Sequence, residues 1–299
     1  MPKFVGVIER NPVQHYWLPM MFVALYGSGF VGAKYGLPYA GPLTFLVWRF
    51  AIAGFITVLL ALVFKANWPK RAMDWAHIAF AGLLTVATFS AGVFVAIALG
   101  IPPALSALII ALQPMLVALL ARQTLAEQIM VRQWLGLCLG LLGVVCVVAH
   151  KLVWSTSYIQ GLIFAVLALV GLSVGNIYQK RFCTGMHVLS GGAIQSLASL
   201  MGLFPLAYWH ESMQVIWSTP FVAALSYMSI GVSIGALSLF YVMIRSGTAS
   251  QVASVFYLVP VSAAITAYLM YNEHIDLLTL LGAGLVAMGV YLVNLRKSE

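Results

Sequence analysis

The sequence predicts an all-α integral membrane protein whose ten transmembrane helices form two inverted-topology five-helix repeats around a central cavity. Three observations support this fold class. Hydrophobic residue types make up 63% of the 299 residues and charged types only 7%, whereas soluble domains contain about a quarter charged residues. The chain also divides into ten apolar runs, and its second half repeats its first at a constant offset. Lipid must therefore surround most of the chain.

The apolar runs have the length of membrane-spanning helices, which need about 20 apolar residues to cross the hydrocarbon. The predicted spans are 17–36, 43–64, 77–97, 103–121, 134–149, 161–180, 191–209, 220–244, 252–270 and 278–295. Proline, glycine, asparagine and charged residues fill the breaks between them. The runs are continuous and do not alternate with a period of two, which favours helices over barrel strands.

The lysines and arginines predict the orientation, because cytoplasmic segments of membrane proteins are enriched in them. With a cytoplasmic N-terminus, twelve basic residues lie inside: Lys3, Arg10, Lys65, Lys70, Arg71, Arg122, Arg132, Lys180, Arg181, Arg245, Arg296 and Lys297. The outside then holds Lys34, Arg49 and Lys151. Both termini are therefore predicted to be cytoplasmic, with the chain embedded in a lipid bilayer. The net charge of +8 is scattered between apolar runs, which indicates membrane-flanking anchors and no nucleic-acid partner.

The internal repeat relates residues 1–152 to residues 153–299. Gln113-Pro114 corresponds to Val259-Pro260, Glu127 to Glu273 and Lys34 to Lys180, each 146 positions apart. Since each half contains five spans, an odd number, the second half must enter the membrane inverted. Inverted repeats of this kind predict alternating access to a site between the halves. The alternative is an old duplication that only stabilises a bundle.

Polar and aromatic residues inside the spans are the candidate substrate-binding residues. Spacings of three, four and seven residues place them on shared helical faces. Such faces, converging on one axis, would line an apolar and aromatic cavity suited to amphipathic, mostly aromatic small molecules. The candidates are Tyr26, Phe30, Lys34, Ser90, Phe94, Gln113, Ser173, Asn176, Ser238, Tyr241, Ser254 and Tyr257. Core packing is the alternative role of the aromatic residues, and interhelical hydrogen bonding that of serine and asparagine.

Pro114 and Pro260 are candidate gating residues. Each removes one backbone hydrogen bond and frees a carbonyl one turn earlier. Bent helices with free carbonyls would serve as moving elements in the fourth and ninth spans. The alternative is a static kink.

The fifth and tenth spans are predicted to be scaffold helices. Gly136, Gly140 and Gly143 form a small-residue stripe in one, and Gly282 and Gly289 belong to a similar stripe in the other. Small residues let membrane helices approach closely. The same faces could join two copies, so the sequence is compatible with a monomer or a homodimer.

Several classes of activity find no support in the sequence. The acidic residues and histidines all fall in loops or at span ends, so a carboxylate proton relay at mid-depth is not expected. This favours movement driven by the gradient of the substrate itself. No nucleotide-binding or hydrolase motif is present, so neither an enzyme nor a cofactor is predicted, and no metal site.

Several motifs resemble the drug/metabolite transporter superfamily, EamA type. They are Tyr26-Gly27-Ser28-Gly29-Phe30-Val31, Trp48-Arg49-Phe50, Ala111-Leu112-Gln113-Pro114 with Glu127, and Leu258-Val259-Pro260 with Glu273. Within that superfamily the chain is similar to YddG-type exporters of aromatic amino acids. The resemblance implies a bacterial inner-membrane exporter with a central cavity formed by helices 1, 3, 4, 6, 8 and 9. Proton-coupled drug/metabolite antiport, or a non-transporting sensor or scaffold, are the alternatives.

Overall fold

The computed structural model describes residues 12–101, 103–149, 159–271 and 276–295. Within these ranges the backbone is helical apart from its connecting loops and an isolated β-bridge between Ala40 and Val215. The predicted boundary between the two halves, at residues 152 and 153, lies outside the described residues. Glu273 lies outside them too.

Long helices, named α1 to α10 here, follow one another along the described chain. Their bounds are Pro12–Gly36 for α1, Pro42–Val63 for α2, Ala72–Ala98 for α3, 103–124 for α4, Val131–Val148 for α5, Ile159–Phe182 for α6, Val188–His210 for α7, Thr219–Ser246 for α8, 249–271 for α9 and Leu277–Asn294 for α10. In the described ranges, the nine helices α2 to α10 are long and apolar enough to cross a membrane. The 25-residue α1 is not among those nine, so a tenth span remains a prediction.

Four helices are irregular, and the irregularities follow the sequence repeat. α3 widens to a π-helix at Leu83–Thr88 and α8 at Tyr227–Ala236. A shift of 146 positions places the first of these at 229–234, inside the second. α4 is interrupted at 111–112, directly before Gln113, and α9 tightens to a 3-10 turn at Val255–Tyr257. Pro114 and Pro260 follow these two breaks, as expected of a residue that cannot donate to the preceding turn.

α5 and α10 pack against each other through their glycines. A Cβ atom at Gly136 would lie 2.7 Å from the carbonyl oxygen of Gly289, and one at Gly143 would lie 2.6 Å from that of Gly282. The two helices are therefore antiparallel and in backbone contact, as the small-residue stripes predict. Because these faces cover each other within one chain, they are not free for the homodimer contact considered from the sequence.

Glu211, which follows α7, holds the beginning of α2. Its carboxylate accepts hydrogen bonds from Leu43 N at 2.8 Å, Thr44 N at 2.7 Å and Thr44 Oγ1 at 2.6 Å. The first N–H groups of a helix have no partner within the helix and carry partial positive charge, so a carboxylate there is stabilising. This side of the bundle is called the Glu211 end.

We expect Glu211→Ala to lower the free energy of unfolding by about 1–2 kcal/mol, the range for loss of a helix cap. Thermal unfolding in detergent, followed by intrinsic fluorescence, measures the change. Thr44→Val is the matched control: it removes only the hydroxyl donor, so its effect should be smaller. An unchanged melting temperature in Glu211→Ala would contradict this role of the carboxylate.

Candidate functional site

A central cavity lies between α1, α2, α3 and α8; its empty space, counted together with the solvent open to it, is about 490 Å³. Its walls are mostly apolar and aromatic, and include Tyr26, Val86, Phe89, Phe94, Met228 and Val232. Arg49, Thr85 and Ser90 supply polar groups. A smaller side cavity adjoins it between α1, α4 and α9. Tyr26 lines both cavities.

The irregular helix segments form much of the cavity walls. Thr85 and Val86 belong to the π-helical part of α3, and Met228 and Val232 to that of α8. Ala111, at the interruption of α4, lines the side cavity. Departures from regular helical hydrogen bonding inside a membrane occur where the backbone is covered by protein or faces a cavity. π-Bulges are also frequent at functional sites.

The structure places four of the predicted site residues on the two cavities. Tyr26, Ser90 and Phe94 line the central cavity, and Pro260 lines the side cavity. The side chains of Phe30 and Lys34 lie outside the described residues. On the predicted face of α1, Tyr26 is therefore the residue whose side chain the structure describes.

Other predicted residues are buried near the break in α4 or in α6. Gln113 follows the break and is fully buried, and its amide nitrogen and oxygen have no hydrogen-bond partner among the described residues. Pro114, the other predicted gating residue, is buried beside it. In α6, Ser173 Oγ donates to the carbonyl of Leu169 at 2.7 Å. Asn176 is buried, and its Oδ1 has no hydrogen-bond partner in the described part of the chain.

The predicted substrate-binding residues of α9 face α5 and α10 instead of a cavity. Ser254 Oγ donates to Gln251 O at 2.7 Å and accepts from Asn294 Nδ2 of α10 at 3.1 Å. The ring of Tyr257 is fully buried against Gly140 of α5. In α8, Ser238 is half-buried.

A buried chain of polar side chains links α8, α7 and α6. Tyr241 Oη donates to Gln195 Oε1 at 2.6 Å, and Gln195 Nε2 donates to Gln179 Oε1 at 3.0 Å. Gln179 Nε2 is buried without a partner in the described structure. Tyr241 is one of the predicted residues. The sequence reasoning missed both glutamines, although Gln195 lies within a predicted span and Gln179 one turn after Asn176.

Arg49 is the main site residue that the sequence reasoning missed. The positive-inside argument assigned it to the outside segments. It instead lies within α2, is 5% exposed, lines the central cavity and donates from Nε to Ser233 Oγ at 2.7 Å. Its position inside the predicted span 43–64 was the available signal, because ionisable groups within a span are costly and therefore informative.

Packed aromatic rings separate the central cavity from the end of the bundle that lies opposite the Glu211 end. Phe22 lies one turn before Tyr26 in α1, and their ring centroids are 5.0 Å apart. Phe256 contacts Phe22 at 5.2 Å and Tyr26 at 5.4 Å, and Phe240 contacts Phe256 at 5.9 Å. Phe22, Phe240 and Phe256 are all buried. The cavity is therefore closed on this side by ring packing.

On the far side of these rings, charged side chains form hydrogen bonds with the ends of neighbouring helices. This side of the bundle is called the Glu127 end. The Glu127 carboxylate accepts from Ala249 N and from Ser250 Oγ, both at 2.8 Å, at the beginning of α9. Lys180 Nζ donates to the carbonyls of Ile244 and Gly247, both at 2.6 Å, at the end of α8. Both contacts match the sign of the charge to the helix terminus.

Sequence and structure comparisons place this architecture among known proteins. The EamA-like transporter family model matches residues 15–149 and 159–295. An uncharacterized transporter of Bacillus subtilis, YvbV, is 26% identical over 276 residues, with 92% of this chain and 90% of that protein covered. A probable amino-acid metabolite efflux pump of Escherichia coli is 25% identical over 289 residues, with 92% and 93% covered.

A solved crystal structure has the same fold. It superposes with a TM-score of 0.80 over 94% of this chain and 96% of that chain, at 18% sequence identity. Such a likeness concerns the fold alone. Since the family model matches most of its length, this chain belongs to the EamA-like transporter family.

Proposed function

We propose that this transporter exports small amphipathic metabolites, foremost aromatic amino acids, by alternating access. The observation that carries the proposal is the central cavity, in which Phe89, Phe94 and Tyr26 provide aromatic walls and Arg49 and Ser90 polar groups. The similarity to a probable amino-acid metabolite efflux pump supports this cargo.

The symmetry of the two halves supports alternating access. The wide turns of α3 and α8 and the breaks of α4 and α9 correspond under the 146-position shift. In the arrangement seen here, Tyr26 and its neighbouring rings close the central cavity toward the Glu127 end. An exchange of conformation between inverted halves would close it toward the Glu211 end instead. In the predicted orientation the Glu127 end is cytoplasmic, in a bacterial inner membrane.

The cavity composition favours gradient-driven uniport over proton-coupled antiport. In the described structure, no acidic side chain lines either cavity. Glu127 and Glu211 instead accept hydrogen bonds from helix beginnings. Proton-coupled transporters commonly use titratable groups along the membrane pathway.

Counterflow in liposomes tests the proposal. Vesicles containing purified protein and an excess of unlabelled tryptophan or phenylalanine should accumulate the labelled amino acid without a pH difference. Accumulation that requires a proton gradient would favour the antiporter. Gel filtration and thermal unfolding check that the protein is folded. If folded protein shows no counterflow with any of the twenty amino acids, amino-acid transport is overturned and a sensor or scaffold is favoured.

We expect Asn176→Leu to reduce tryptophan flux about tenfold while leaving expression and melting temperature unchanged or raised. Its buried Oδ1 has no hydrogen-bond partner among the described residues, and such a group costs about 1–3 kcal/mol, so the amide is expected to gain a partner in another step of the cycle. The control is Val174→Leu on the exposed side of α6. Wild-type flux in Asn176→Leu would reduce Asn176 to a packing role.

A further inference from the structure

The inference drawn here rests on the proposed transport function and concerns the charge of the cargo. We propose that Arg49 binds a carboxylate of the transported molecule, and that the cargo is therefore a small amphipathic carboxylate rather than an organic cation. Arg49 is positioned for this role by α2 and by its hydrogen bond to Ser233 of α8. It thus joins two walls of the central cavity.

The guanidinium has donors to spare. An arginine carries five N–H donors in a planar fork that fits a carboxylate with two parallel hydrogen bonds. One donor is used by Ser233 Oγ at 2.7 Å, and this is the one side-chain hydrogen bond that Arg49 forms with the described residues. Its Cζ lies over the ring of Phe50, 5.2 Å from the ring centroid. The remaining donors are available to a molecule in the cavity.

The described protein provides no countercharge for this cation in the cavity. Glu127 binds the beginning of α9, Glu211 binds the beginning of α2, and Asp276 caps α10. Asp74 lies in the first turn of α3, at the Glu127 end. A charge that is buried without a partner is costly. An anionic group on the cargo would supply the partner and gain a charge-assisted hydrogen bond.

The other residues that line the central cavity determine which further chemical groups of the cargo it can accommodate. Phe89, Phe94 and Met228 present apolar surface, and the hydroxyls of Ser90 and Thr85 are the nearby polar groups. One carboxylate pairs with the one guanidinium group. A phosphate monoester carries a charge of about −1.5 to −2 at neutral pH and would leave excess charge among apolar walls. A cation would be repelled by Arg49.

Competition with labelled tryptophan counterflow separates these cargo classes in the wild-type protein. Indole-3-propionate keeps the carboxylate and lacks the amine, whereas tryptophanamide keeps the amine and lacks the carboxylate charge. We expect indole-3-propionate to compete nearly as well as tryptophan, and tryptophanamide about tenfold or more weakly, the range for loss of a hydrogen bond to a charged group. Equal competition by tryptophan and tryptophanamide would overturn the inference.

Variants of Arg49 connect the selectivity to this side chain. Arg49→Gln should weaken tryptophan and indole-3-propionate about tenfold and should strengthen inhibition by the cationic tryptophanamide, because it removes the repulsion between the two positive charges. Arg49→Lys keeps the charge but loses the fork, so it should give intermediate values. Arg245→Gln, at the exposed end of α8, is the control and should match wild type. Gel filtration and thermal unfolding check each fold, and if Arg49→Gln fails to fold, Arg49→Lys and the wild-type competition decide.

The two levels of the proposal fail in different ways. If wild-type protein transports tryptophan but Arg49→Gln keeps its preference for carboxylates, the role of Arg49 is overturned and the transport function stands. If wild-type protein moves no aromatic compound, with or without a carboxylate, the transport function fails and the inference fails with it.

Discussion

Gly289→Leu should yield little folded protein, because no side chain fits between α5 and α10. A Cβ atom at Gly289 would lie 2.6 Å from both the carbonyl oxygen of Gly136 and the amide nitrogen of Gly140. These are backbone atoms, so the two helices would have to move apart along their shared face. Overpacking typically costs about 1–3 kcal/mol and occasionally more. We expect the cost of Gly289→Leu to reach or exceed the upper end of this range, because the atoms in the way belong to the backbone.

Gly284→Leu is the matched control for this substitution. It makes the same change in the same helix, at a position where a Cβ atom meets nothing within 4 Å. Yield of monodisperse protein and melting temperature in detergent measure both variants. Gly284→Leu should resemble wild type and Gly289→Leu should not. Equal stability of the two would mean that α5 and α10 are not in backbone contact.

Val232→Trp should abolish transport without removing the protein from the membrane. Val232 lines the central cavity from α8, facing α1 at Gly29, where a Cβ atom would lie 3.2 Å from Val232 Cγ2. A tryptophan there would occupy the space that the proposed cargo needs. Flux of tryptophan should fall at least about tenfold, by analogy with other disruptions of a shaped site.

Ile230→Trp provides the comparison two residues earlier in the same helix. Ile230 is 53% exposed on the outer side of the bundle, where an added ring would contact lipid. Its flux should equal that of wild type in the liposome assay. Val232→Trp protein that is folded and fully active would show that the central cavity is not the route of the cargo.

The sequence predicted the helices and their breaks better than it predicted the lining of the cavity. Apolar runs of membrane length and the positions of Pro114 and Pro260 depend on local chemistry, which a single sequence displays. Periodicity also reveals which residues share a helical face, but not which neighbour that face meets. Tyr257 illustrates the difference: it shares a predicted stripe with Ser254, and the stripe faces α5 and α10.

Arg49 and the glutamines were missed for a different physical reason. Counting positive charges along the chain treats every arginine near a span end as a loop residue, whereas burial depends on how α2 packs against α8. Gln179 and Gln195 interact across two helices, and such a pair has no fixed separation in sequence. Long-range partners of this kind become visible only when the helices are assembled.

The contact between α5 and α10 has one further property. Under the 146-position shift Gly136 becomes Gly282 and Gly289 becomes Gly143, so the Gly136–Gly289 contact is converted into the Gly282–Gly143 contact. The shift that relates the two halves therefore maps the interface between α5 and α10 onto itself. If the two halves exchange conformations during a transport cycle, this interface can remain fixed while the other helices move around it. Residues with side chains should therefore be excluded at Gly136, Gly143, Gly282 and Gly289 in natural variants of the protein.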